Sequence, residues 1–204
     1  MHIWNKSRQG LMVLLMVFLS ACSGPTLSPL TQDSVILAFG DSLTYGKGAE
    51  PGQDYPSQLA LLSGLKVINA GISGETTAEG VQRFEQLLTE TLPSLVVLLE
   101  GGNDFLRNQD SVNTQANLQS MIDIAKSRGV DVVLVAVPSK QLFLSPASFY
   151  ADLADINQLV LVEEAVTNLL KDGSMKSDTV HLNAAGYRVL AEQIFAHIQD
   201  AGAL

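Results

Sequence analysis

Cysteine is nearly absent: the 204 residues hold one, Cys22, so no internal disulfide can form and the fold must hold by packing alone. Positive charge is also scarce. Twelve Lys and Arg stand against 21 Asp and Glu, a formal charge of -9, which excludes the clustered basic surface that nucleic acid, or an anionic membrane face, requires of a folded domain. Histidine occurs three times, at 2, 181 and 197, too sparsely for a metal centre of ordinary ligand spacing; neither metal nor cofactor is expected. There is no Gly-x-Ser-x-Gly elbow, and Gly101-Gly102 lacks the spacing and lysine of a phosphate-binding loop. The apolar run Leu11 to Leu19 is nine residues long, well short of the roughly 20 that a membrane-spanning helix needs.

That short run reads as a signal segment. His2, Lys6 and Arg8 precede it without an acid, and it closes on Leu19-Ser20-Ala21-Cys22. Leu-Ser-Ala-Cys resembles the lipobox of bacterial lipoproteins, in which the cysteine is acylated and the chain is cut just before it. Residues 1–21 are then a signal peptide, Cys22 the lipidated end, and 22–32, with Ser23, Gly24, Pro25, Ser28 and Pro29, a polar tether ahead of one domain over 33–204. Loss of Lys6 and Arg8 makes the mature chain more negative still. The resemblance implies an exported bacterial lipoprotein, held to the membrane by its N-terminal lipid. Serine after the cysteine resembles the pattern of outer-membrane sorting, with the domain facing the periplasm. No pattern specifies a partner chain, so a monomer is expected.

Past residue 32 the chain alternates two kinds of segment. Val35 to Phe39, Val67 to Ala70, Leu95 to Leu99 and Val132 to Val137 are continuous apolar runs rich in β-branched residues, as in strands buried on both faces. Tyr55 to Leu62, Thr76 to Leu88 and Asn113 to Arg128 carry apolar residues at helical spacing. Strand followed by helix, repeated, predicts a three-layer α/β/α sandwich with a mostly parallel sheet of about five strands. Towards the end, Tyr150 to Ile156 and Glu163 to Leu170 read as helices around a fifth strand, Leu159 to Val162, with Ala184 to Ile198 the closing helix. One bent helix from Tyr150 to Leu170 is the alternative.

In an open α/β sheet, functional residues collect beyond the C-terminal ends of the strands. There stand Gly40-Asp41-Ser42-Leu43-Thr44, Gly71-Ile72-Ser73-Gly74, and Gly101-Gly102-Asn103-Asp104, with Asp178-Thr179-Val180-His181 before the last helix. Ser42, at a strand-to-helix turn, is the candidate nucleophile, although a capping role for Asp41 or Ser42 explains the same dipeptide. A serine hydroxyl needs a base, and His181 with Asp178 nearby offers one. His197 sits within the last helix and reads as structural. Ser42, Gly74 and Asn103 can offer N–H groups to a developing oxyanion, or Gly74 and Asn103 can be turn residues. The segment Leu142, Phe143, Leu144 after the fourth strand can line an acyl pocket or simply cover the sheet edge.

Together, Gly40-Asp41-Ser42-Leu43, Gly74, Gly101-x-Asn103-Asp104 and Asp178-x-x-His181 resemble the four blocks of the SGNH, or GDSL, hydrolase superfamily, and within it the thioesterase I/protease I/lysophospholipase L1 and arylesterase branch. The resemblance implies Ser42, Asp178 and His181 as the catalytic triad, Ser42, Gly74 and Asn103 as the oxyanion hole, and a small-molecule ester or lysolipid as substrate. A carbohydrate O-acetyl esterase and a non-catalytic surface lipoprotein are the alternatives. Relatives commonly carry proline after the histidine; here Leu182 follows His181, and a less rigid loop is expected.

Overall fold

The computed structural model describes residues 24–139 and 144–204. The signal segment with Cys22, and Leu142 and Phe143 of the expected acyl pocket, lie outside the described residues.

Five parallel strands form one sheet: β1 (Val35–Gly40), β2 (Lys66–Gly71), β3 (Leu95–Leu99), β4 (Asp131–Val135) and β7 (Val160–Val162), in the order β2-β1-β3-β4-β7. A separate pair, β5 (Pro138–Ser139) and β6 (Ser145–Pro146), is antiparallel. The helices are α1 (Ser42–Tyr45), α2 (Tyr55–Ser63), α3 (Thr77–Thr91), α4 (Gly102–Leu106), α5 (Ser111–Ser127), α6 (Phe149–Asn157), α7 (Ala165–Lys171) and α8 (Ala184–Asp200). α2 and α7 pack on α8, while α3 packs on α5 and α5 on α6, so helices cover the sheet in the expected three layers.

Burial follows strand position. Every residue of the central β3 is buried, as are all but the first of β1 and β4, because parallel strands carry helices on both faces. β2 departs from the expectation of full burial: as an edge strand it leaves Lys66 and Asn69 exposed and Val67 and Ile68 half-buried. Beneath α3, Phe39 meets Phe84 edge-on, with ring centroids 4.9 Å apart at 84°, and each fully buried ring contributes roughly 2–3 kcal/mol from area alone.

Three further differences from the sequence reading have local causes. β4 ends at Val135 rather than Val137: Ala136 still donates to the Val162 carbonyl at 3.0 Å, but Pro138 has no N–H to continue the ladder and the chain leaves the sheet. α6 and β7 are separate, which rules out the single bent helix. Gln158 adopts φ 55, a left-handed cap that ends α6. The expected tether also packs from Leu27 onward. Leu27 is buried and donates to the Ala201 carbonyl at 3.0 Å, Leu30 to that of Ala203 at 2.8 Å, and Ser28 to the Asp131 carboxylate at 2.7 Å.

Candidate active site

Because all five strands point the same way, the ends of β1, β2 and β3 deliver their turns to one edge of the sheet. After β1 the chain turns at Asp41, whose carboxylate accepts the Leu43 N–H at 2.9 Å and caps α1, leaving Ser42 as the first helical residue. The capping role thus falls to Asp41, and the half-buried Ser42 is left with its hydroxyl free for another partner. The Ser42 Oγ lies 3.1 Å from His181 Nε2, and His181 Nδ1 lies 2.7 Å from Asp178 Oδ2. The other Asp178 oxygen accepts the N–H groups of Val180 and His181 at 2.8 and 2.9 Å. Although desolvation pushes the Asp178 carboxyl up, the bonds from the imidazole and those two N–H groups outweigh it and hold the group down at about 2. A carboxylate that is ionised at neutral pH thus orients an imidazole whose far nitrogen faces a hydroxyl.

Leu182, standing where relatives commonly carry proline, is packed into the core. It is fully buried and bridges to Lys176: the Ser177 N–H donates to the His181 carbonyl and the Asn183 N–H to that of Met175, both at 3.0 Å. Backbone pairing and an apolar anchor thus tie the histidine loop to the segment before it. Asn183 then caps α8 by accepting the Gly186 N–H at 3.0 Å.

Gly74 lies in the turn after β2 at φ +87, a conformation that disfavours any side chain. Its carbonyl accepts from Arg107 at 2.6 Å, and the next carbonyl, of Glu75, accepts from the Asn103 amide at 2.9 Å. The Asn103 nitrogen also lies 3.2 Å from Asp41 Oδ2. Ser42, Gly74 and Asn103, far apart in sequence, are drawn together by bonds that run through their immediate neighbours.

What the sequence reading missed lies underneath: Asp41, Glu75, Glu100 and Asp104 are all buried. Glu75 pairs with Arg83, whose guanidinium also stacks on Phe39 at 4.0 Å. Asp104 accepts from Thr77 Oγ1 at 2.6 Å, the Thr77 N–H at 3.0 Å and Thr114 Oγ1 at 3.3 Å. Glu100 has no partner for either carboxyl oxygen among the described residues, and burial, reinforced by Asp41, Glu75 and Asp104 against the relief of Arg83, drives it well above the usual carboxylate range. Asp41 is pushed up by burial to about 6, against the Leu43 N–H bond and nearby His181. The acids of the Gly-Asp, Gly-Glu-Thr and Glu-Gly-Gly-Asn-Asp blocks were the available signal.

A cleft of about 220 Å³ opens beside Ser42 and Asn103, walled by Leu43, Phe105, Val137, Leu144 and Leu170, with Thr179 and Val180 of the histidine loop closing one side. Leu144 is the one member of the expected acyl segment among the described residues. No cluster of three or more His, Cys, Asp or Glu side chains suited to a metal ion occurs among the described residues.

The profile of the GDSL-like lipase/acylhydrolase family matches residues 38–189, from within β1 into α8. The chain belongs to the GDSL-like lipase/acylhydrolase family. Among its relatives, an esterase TesA of Pseudomonas aeruginosa is 36% identical over 132 residues, 59% of this chain and 63% of that one. An arylesterase of Vibrio mimicus is 38% identical over 107 residues, 50% and 54% of the respective chains. These two alignments therefore span less than two thirds of either relative. The thioesterase 1/protease 1/lysophospholipase L1 of Escherichia coli K12 is 27% identical over 174 residues, 80% of this chain and 83% of that one. In three dimensions this GDSL-family chain superposes on a crystal structure of TesA with a TM-score of 0.70 at 28% identity, covering 82% of this chain and 99% of that one. The SGNH-hydrolase esterase AlinE4 gives 0.63 at 30%, covering 86% and 100%.

Proposed function

We propose that the chain is a serine esterase that hydrolyses carboxylic esters through an acyl-serine intermediate. The observation that carries this reading is the unbroken line from Ser42 Oγ to His181 Nε2, at 3.1 Å, and from His181 Nδ1 to Asp178, at 2.7 Å. His181 takes the Ser42 proton as Oγ attacks the ester carbonyl, and Asp178, already ionised, stabilises the imidazolium. The oxyanion is met by the N–H groups of Ser42 and Gly74 and by the Asn103 amide. Collapse expels the alcohol, which receives its proton from His181. A water then repeats the sequence on the acyl-serine.

The apolar walls of the cleft support an ester with a hydrocarbon acyl chain over a sugar acetate, which calls for a polar groove. Aryl esters, thioesters and lysophospholipids, the substrates named for the relatives, are the panel to test. The basic start, the nine-residue apolar run and Leu19-Ser20-Ala21-Cys22 support acylation at Cys22, and Ser23 after it supports an outer-membrane location. Several acyl chains on one cysteine would hold so acidic a domain without electrostatic help.

Turnover of p-nitrophenyl esters of increasing acyl length should be abolished by Ser42→Ala and by a phosphonate that labels Ser42, and should be indifferent to chelator. Near-wild-type kcat in a folded Ser42→Ala protein would sink the reading. The mass of the membrane-extracted protein checks the anchor separately: an unmodified chain, cut or uncut, would leave the esterase standing and the lipid refuted.

A further inference from the structure

We infer that Asp41 is a positioning residue that acts through Asn103, holding one amide hydrogen of Asn103 beside Ser42 where the oxyanion forms. This rests on the oxyanion role proposed for Asn103.

An amide nitrogen carries two hydrogens. The Glu75 carbonyl takes one of Asn103's along the shorter contact, 2.9 Å, while the other is directed at Asp41 Oδ2, at 3.2 Å. Asp41 immediately precedes Ser42, so the hydrogen it holds is the one an oxyanion at the Ser42 N–H would share. The longer contact, at 3.2 Å, lies at the upper end of the ordinary 2.7–3.2 Å range for N–H···O.

The carboxyl that holds this hydrogen is itself immobilised. Asp41 is 2% exposed and its other oxygen accepts the Leu43 N–H at 2.9 Å, so both oxygens are committed to fixed donors. On the side of α4, a Cβ at Gly102 would stand 3.1 Å from Asp41 Oδ2, tight enough to displace the oxygen that Asn103 uses. Asp41, Gly102 and Asn103 therefore form one device: a capped carboxylate, room for it, and the donor it aligns. The capping role alone would not need the second oxygen, and serine, asparagine or threonine could fill it.

The test separates alignment from mere structure. An asparagine at 41 has one acceptor oxygen, so it must leave either the Leu43 N–H or the Asn103 amide unserved; a serine there can still cap α1 but is too short to reach Asn103. Steady-state kinetics of the full chain with p-nitrophenyl butyrate are measured for Asp41→Asn, Asp41→Ser, Asn103→Ala and both double variants. Thermal unfolding identifies the folded ones. Each Asp41 variant is expected to lose kcat about tenfold or more with KM nearly unchanged, since a misaligned donor weakens only the transition state. In the Asn103→Ala background the same substitution should cost less than about twofold, because the group it aligns is gone. A full loss in both backgrounds, or a loss confined to KM, would overturn the inference. Unimpaired turnover in Asn103→Ala alone would overturn the oxyanion assignment, and this inference with it.

Discussion

Glu100 offers a test in which the sign of a pH effect decides the matter. Its carboxyl is fully buried at the end of β3 with neither oxygen partnered among the described residues, and burial raises its pKa well above the ordinary 4.5. In the unfolded chain the group ionises above about pH 4.5, whereas in the folded protein it keeps its proton to higher pH. Folding therefore holds a proton that unfolding releases, and stability must fall as pH rises through that window. The slope is up to about 1.4 kcal/mol per pH unit for one proton. For a domain of this size, 1 kcal/mol moves Tm by about 2–4 °C, so each pH unit should lower Tm by at most about 3–6 °C on account of Glu100. Glu100→Gln keeps the shape and cannot ionise. Asp41, raised to about 6, acts with the same sign but is present in both proteins and cancels in the comparison. Melting followed by circular dichroism from pH 5 to 7 should show the Gln variant gaining on the wild type at each step. A Tm difference that stays constant over that range would refute a buried, uncharged Glu100.

Asp178→Asn should cut kcat by about 10³-fold or more while the protein remains folded, because an amide presents the wrong partner to His181 Nδ1; steady-state kinetics on p-nitrophenyl butyrate check it. Since the wild-type Asp178 is held down at about 2, the stability it lends is present above the ordinary aspartate value of 3.8 and is lost as pH falls towards 2, so acid melts of the Asn variant should lack that segment. Tyr150→Phe removes the hydroxyl that donates to the buried Glu100 carbonyl at 2.6 Å; unfolding in urea should register a loss of about 1–3 kcal/mol.

The strands and the four reactive blocks were legible because their signals are local. Leu95 to Leu99 is an apolar run ended by glutamate and glycine, and Gly40-Asp41-Ser42 is a turn in its own right. Contacts that depend on distant partners were not. Nothing near Asp104 in sequence says that Thr77 will bring it two hydrogen bonds from 27 residues away, and nothing near Glu100 announces a carboxyl that stays uncharged. Gln158 is a poor signal for a left-handed helix cap, a place that glycine or asparagine usually marks, so the choice between one helix and a helix–strand pair is made by tertiary packing rather than by local sequence. α4, with five residues, is too short for any periodicity, yet it aims Asn103.

The pairing of Leu27 with Ala201 and of Leu30 with Ala203 brings the two ends of the described chain side by side, and the Ser28 bond to Asp131 fixes them at the edge where β4 starts. Ser42 stands at the opposite edge, beyond the six residues of β1, a separation of about 20 Å along the strand at 3.3 Å per residue. Either end of the described residues is thus a handle on the far side from the cleft. A fusion partner, an affinity resin or an acyl chain attached at one end would hold the domain with its mouth turned outward, and a short linker joining the ends would give circular permutants whose new termini could be cut without crossing the sheet.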